Sequence, residues 1–220
     1  MNQHLIENRQ IRVFISSTFQ DMKEERDYLM NKTFPLLRKK AVERDVTLVE
    51  LDLRWGITEA EAQNGRVVEI CLNEIENSHP FFIGLLGERY GWCPSAEELM
   101  KNANLRDRYD WIEEDLKDGL SITEIEMQYG VLRSKEPIHA YFYIKKGVYH
   151  DASDVKLERL KQAIRNNKRY PVFEFSDVEE LDSQVQVAFT ELLNNLFPQG
   201  SLTPLEKERI MQRAFLNSRC

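Results

Sequence analysis

Short runs of β-branched and aromatic residues alternate along this chain with longer segments whose apolar residues recur at helical spacing, and that alternation leaves few folds open. A strand, an amphipathic helix and another strand form the repeating unit of a parallel sheet, because the crossover must return the chain to the end of the sheet where the next strand begins. The pattern predicts strands over residues 12–16, 47–52, 81–86, 139–144 and 172–175. The first, third and fourth read as unbroken apolar runs, as a sheet covered by helices on both faces requires. Helices are predicted over 21–44, 67–77, 124–133, 154–166 and 181–197. Pro35 falls inside the first of these and predicts a kink there or a division into two helices, since proline removes a helical donor. Five parallel strands joined by right-handed crossovers take the order 2-1-3-4-5 in flavodoxin-like folds. The expected architecture is therefore a three-layer α/β domain of that kind.

One stretch breaks the alternation. Residues 91–119, between the third strand and its helix, hold Trp92, Tyr109, Trp111 and a run of acids, and are read as an insertion with a short helix of its own. At 220 residues and 42% hydrophobic content the chain can bury one large core. Residues 1–10 read as an N-terminal extension, 11–200 as the α/β domain and 201–220 as a C-terminal linker helix. That last helix opens at Thr203-Pro204-Leu205-Glu206, a capping box with proline at the first helical position, and Leu205, Ile210, Met211 and Phe215 give it a partly apolar face.

Composition narrows the partners. A formal net charge of -7 offers no global basic field to nucleic acid or to an acidic membrane surface. Cys71, Cys93 and Cys220 are an odd count at wide spacing, which suits neither a disulfide framework nor a zinc site, and the 4 histidines show no ligand spacing. The first ten residues are polar, and the longest apolar run, near 80–87, is too short to span a bilayer. A cytoplasmic protein with no metal and no membrane partner is expected.

In a sheet of order 2-1-3-4-5, ligands bind outside the carboxyl ends of the strands, at the crevice where the strand order reverses. Strand one ends in Ser16, Ser17 and Phe19; strand two opens into Arg54 and Trp55; strand three ends in Gly87, Arg89 and Tyr90. Hydroxyls, glycines that permit close backbone approach, two arginines and several aromatics suit an anionic ligand carrying a flat ring. The same residues also serve as turn and cap chemistry, with the aromatics as core. The helix that starts near residue 124 opens with Ser121-Ile-Thr-Glu124-Ile-Glu126, two overlapping capping boxes. If Ser121 is the cap, Glu124 closes the box and Glu126 is left over. Glu126 is then the candidate catalytic carboxylate and Glu124 its alternate, although the helix dipole alone favours acids in a first turn.

The ordered motifs Arg12-Val-Phe-Ile-Ser-Ser-Thr-Phe-Gln-Asp21, Glu24-Glu25-Arg26, Leu51-Asp-Leu-Arg-Trp-Gly-Ile-Thr58, Glu74-Ile-Glu-Asn-Ser78, Phe82-Ile-Gly-Leu-Leu-Gly-Glu-Arg-Tyr-Gly91 and Ser121-Ile-Thr-Glu-Ile-Glu126 closely resemble the TIR-like domain found near the N-terminus of many NACHT and other STAND NTPases, with telomerase-associated, nephrocystin-type and bacterial defence-like members. The resemblance runs from about Arg12 to Ile144. It implies a TIR-like fold and an effector or signalling role, in innate immunity or antiviral defence, as the head of a switch protein. That protein would carry its NTPase outside this chain, which has no phosphate-binding Gly-x-x-x-x-Gly-Lys motif. It also implies an NAD glycohydrolase activity that needs no cofactor, takes NAD as substrate and depends on homo-oligomerisation. The glutamate such enzymes use at the start of the third helix corresponds here to Glu126 or Glu124. The insertion and the Arg54-Trp55-Gly56 motif depart from ordinary TIR domains. Two other functions share the fold: a non-enzymatic domain for self-association or partner binding, and a nucleoside deoxyribosyltransferase-like enzyme.

Overall fold

The computed structural model of the chain describes residues 8–18, 20–53, 66–95, 102–147 and 155–217. Five parallel strands, β1 (Gln10–Ser16), β2 (Thr47–Leu51), β3 (Phe81–Leu86), β4 (His139–Lys145) and β5 (Val172–Phe175), form one sheet in the order β2-β1-β3-β4-β5. This is the predicted α/β topology, with its reversal between β1 and β3.

Alternation along the strands divides the core into two layers. Phe14, Phe82, Phe142 and Ile144 face one way, onto α3 (Arg66–Ser78), α6 (Ile122–Met127) and α7 (Val155–Asn166). Val13, Ile15, Phe81, Ile83 and Tyr143 face the other way, onto α1 (Lys23–Tyr28), α2 (Phe34–Val42) and α8 (Val178–Leu196). β3 is buried at every position because it is central and covered on both faces.

Four predicted elements differ in the structure. The helix containing Pro35 divides into α1 and α2, although no loop separates them. It stays helical from Lys23 to Val42, with a π-helical turn at Leu29–Thr33 just ahead of the proline. The widened turn takes up the missing N–H and the ring's bulk. The segment after Ser121 likewise changes from α6 into a second π turn at Gln128–Leu132. Within the insertion, the described residues form two short helices where one was expected, α4 (Ala103–Arg108) and α5 (Ile112–Lys117). α8 starts earlier than its apolar period suggests, because Asp177 caps it by accepting from the Glu180 amide at 2.8 Å. α9 (Pro204–Asn217) carries the expected capping box: Glu206 accepts from the Thr203 amide at 2.8 Å and Thr203 Oγ1 from the Glu206 amide at 3.4 Å. Among the described residues no helix is long and apolar enough to cross a membrane.

Candidate functional site

At the carboxyl end of β1 the alternation of side chains separates two neighbouring serines. Ser16 points toward α3 and α6, where its hydroxyl donates to Glu126 Oε2 at 2.6 Å. Ser17 turns the other way, and its carbonyl and hydroxyl oxygens both accept from Arg26 Nη1 of α1, the carbonyl at 3.2 Å. Ser16 is fully buried and Glu126 is 7% exposed, so this carboxylate sits inside the molecule at the edge of the crevice. The Cys71 thiol of α3 lies against it. Burial raises the pKa of Glu126, with the Ser16 hydroxyl, the Cys71 thiol and the more distant Arg26 charge opposing that rise. Burial also pushes the Cys71 thiol up, and the Glu126 carboxylate adds to it.

Glu124, two residues earlier on α6, has different neighbours. Ser121 Oγ caps the helix by accepting from the Glu124 amide at 3.2 Å, but the reciprocal half of the expected box does not form. The Glu124 carboxylate is drawn instead to the Tyr90 hydroxyl, to Arg159 Nη2 of α7 at 3.3 Å and to Gln128 Nε2 at 3.4 Å. Tyr90 is therefore a core residue joined to α6, and burial followed by this hydrogen bond pushes its hydroxyl pKa up.

The loop after β3 is already occupied from within. Asp21 Oδ2 accepts from the Glu88 amide at 2.8 Å and the Arg89 amide at 3.0 Å, and its other oxygen accepts from Thr18. The two amides that an anionic ligand would use are thus filled by a carboxylate of the chain. Gly87 is what permits the approach, since an added Cβ would collide with the Asp21 carboxylate. Gly91 has φ +99° and would bring a Cβ to 3.1 Å from Thr18 and 3.2 Å from Thr123, so it is fixed both by conformation and by space. Arg89 is exposed, its guanidinium donating to Gln20. Phe19, Arg54 and Trp55 lie outside the described residues.

Two cavities open among the described residues, and neither is lined by Glu126. One, of about 590 Å³, lies over α1 at the same end of the sheet and is lined by Asp21, Glu24, Glu25, Asp27 and Lys145. The other, of about 750 Å³, lies between α3, α5 and the second π turn, beside His79, where β3 begins. Its rings are held internally: Trp111 stacks on Tyr129 with centroids 5.3 Å apart, and the Tyr109 and Tyr129 hydroxyls both donate to Glu76 Oε1 at 2.8 and 2.6 Å. We read it as the seam where the insertion packs onto α3, because its stacking faces and its acid are already engaged.

The family model described as "Domain of unknown function (DUF4062)" matches residues 12–190. The chain belongs to this family. Among its relatives, a TPR repeat-containing protein of Dictyostelium discoideum is 30% identical over 238 residues, covering 96% of this chain and 14% of that protein. Telomerase protein component 1 of Rattus norvegicus is 44% identical over 119 residues, covering 54% of this chain and 4% of that protein. NACHT domain- and WD repeat-containing protein 1 of Mus musculus is 33% identical over 83 residues, covering 36% and 5% respectively. This DUF4062 domain therefore corresponds to a small part of much longer relatives, NACHT proteins among them. No solved structure matches the chain.

Sequence reasoning missed Arg26, Asp52 and Cys71 as a group with the crevice. Arg26 is 2% exposed and its Nη2 donates to Asp52 Oδ1, the side chain directly after β2. A signal for it existed. Met22, Arg26, Leu29 and Thr33 follow helical spacing on the buried face of α1 and the turn after it, so a guanidinium stands where an apolar side chain was due. Asp52 thus closes a buried structural ion pair between the end of β2 and α1.

Proposed function

We propose that this DUF4062 domain is a TIR-like effector head of a switch NTPase, working in the cytoplasm, and that Glu126 supports cleavage of the nicotinamide–ribose bond of NAD when copies assemble. The observation that supports the reading is the position of Glu126: a buried carboxylate, fixed by Ser16, at the end of β1 where the strand order reverses. Breaking that bond places positive charge on the ribose. Nicotinamide departs neutral with the bonding pair, water adds to the ribosyl carbon, and its proton is released, giving ADP-ribose. An ionised Glu126 beside the ribose would stabilise the oxocarbenium-like transition state, as carboxylates do in glycoside hydrolysis. With the amides after Gly87 taken by Asp21, the pyrophosphate falls to Arg89 and Arg54. The similarity to NACHT proteins supports an NTPase elsewhere in the parent protein.

A second reading also has an observation behind it. Ser16 and Glu126 are closed over in this conformation, which suits a non-enzymatic domain whose glutamate only pins α6 to β1. One assay separates the two. The chain, fused to an oligomerising partner, is incubated with NAD and free nicotinamide is measured. Release that depends on Glu126 supports the effector reading, and no release from a demonstrably oligomeric sample rejects it. Nucleobase exchange in the same sample would point to deoxyribosyltransferase-like chemistry.

A further inference from the structure

The Ser16–Ser17 end of β1 brings a buried cation, Arg26, and a buried carboxylate, Glu126, to neighbouring residues. The side chains of Arg26 and Asp52 are each 1% exposed, and the two are joined as an ion pair. The same guanidinium holds Ser17. Glu126 lies one residue away across the Ser16–Ser17 step. Among the described residues no ion pair within 4.0 Å joins Glu126 to Arg26 or to any other cation. Its nearest partners are the hydroxyl of Ser16 and the thiol of Cys71, both neutral.

The charged and titratable groups facing Glu126 are Cys71 from α3 and Arg26 from α1. Glu124 on its own helix is turned to Tyr90 and Arg159. With Arg26 engaged by Asp52, ionising Glu126 would leave a buried negative charge without a counter-ion, which an interior resists strongly. With Arg26 released from Asp52, the same field would fall on Glu126.

We propose that Arg26 is a positioning residue for Glu126, and that Asp52 competes with Glu126 for it, so that the end of β2 governs whether the candidate carboxylate carries charge. Its bearing on catalysis rests on the role given to Glu126 above, while the competition itself does not. In the arrangement described here Asp52 holds Arg26, and burial makes Glu126 hold its proton more tightly than an exposed carboxylate does. A neutral carboxyl cannot stabilise a ribosyl cation, so the arrangement that disfavours the charge is the resting form. Drawing Asp52 away from Arg26 converts Glu126 to the charged form. Regulation would then reach the site through β2.

The test titrates Glu126 directly in the full chain, by carbon-13 NMR of glutamate side-chain carboxyls, with its signal assigned by its loss in Glu126→Gln. Asp52→Asn is expected to lower the Glu126 midpoint by about one pH unit or more, a roughly tenfold loss of proton affinity. The double variant Arg26→Met with Asp52→Asn, which removes the buried pair together, is expected to raise it above wild type. A folded Asp52→Asn with an unchanged midpoint overturns the proposal, and so does a double variant at or below the wild-type value. Should Asp52→Asn fail to fold, the double variant decides alone. If oligomerised wild type cleaves NAD, Asp52→Asn should also carry the acid limb of its rate profile to lower pH. If no nicotinamide is released, the effector reading fails and the titration still decides the competition.

Discussion

Glu124 and Glu126 stand two residues apart on α6, yet the insertion side and the crevice side of that helix treat them as different kinds of group. Glu124 meets a cation, a phenol and an amide, and its charge is matched. Glu126 meets a hydroxyl and a thiol, and its charge is not. Both are buried, so burial does not separate them. The difference lies in whether a cation is paired with the carboxylate at ion-pair distance, as Arg159 is with Glu124 and none of the described residues is with Glu126.

The comparison can be broken most decisively by exchanging oxygen for nitrogen. If the oligomerised protein cleaves NAD as proposed, Glu126→Gln should lower the rate at least ~100-fold, equivalent to roughly 3 kcal/mol of transition-state stabilisation, while the circular dichroism spectrum stays that of the wild type. Activity equal to wild type would remove Glu126 from the mechanism. Glu124→Ala should do the reverse. It strands the buried Tyr90 hydroxyl, and a loss of about 2 kcal/mol is expected from urea unfolding, with Arg159 contributing little because its side chain is 58% exposed. Unaltered stability would show that the Glu124 cluster is decorative.

A subtler effect should appear in the pH dependence of stability. The folded-state pKa of Glu126 is raised above its ordinary value of 4.5, so the folded state binds the proton more tightly than the unfolded chain does. Stability then falls as pH rises from that ordinary value through the raised one. Wild type should therefore lose stability relative to Glu126→Gln across that window, and parallel curves would contradict the buried, uncompensated carboxylate. The smallest effect is expected at the tail. α9 is joined to the domain by Lys207 and the half-exposed Asp45 at 2.8 Å. Such a pair contributes under about 1 kcal/mol, so truncation after Gly200 should move the melting temperature by no more than about 4 °C, whereas changed oligomerisation by light scattering would mark the helix as a relay. A large drop in melting temperature would place α9 in the core.

Much of this was legible from residue types because parallel sheets announce themselves. Phe81–Leu86 has no polar position, and only a central strand covered on both faces tolerates that. The capping reading placed Ser121 at the start of α6, but it set Glu126 apart on the premise that Glu124 closes the box, and the Glu124 carboxylate bonds elsewhere, so neither glutamate is needed for the cap. What stayed illegible were pairings between distant parts of the chain. Nothing local says that Asp21 will fill the amides of Glu88 and Arg89, or that Glu25, buried on α1, will meet Lys145 at the end of β4 at 2.5 Å. Periodicity reports which face of a helix is buried. It does not report which charge waits on the other side, and Arg26 shows the cost of treating an arginine on a helix as solvent-facing. The π turns were hidden for a related reason: a helix one residue too long has the same composition as a regular one.

That surplus residue has an evolutionary consequence. The turn Gln128–Leu132 lies between two fixed points, Glu126 held by Ser16 and Arg133 held by both Asp115 oxygens at 2.7 Å. A lineage can shed one amino acid there, returning the turn to regular α-helix, without unseating either anchor. An alignment of DUF4062 domains should accordingly show its single-residue gaps at 128–132, with the glutamate column before them and the arginine column after them unbroken.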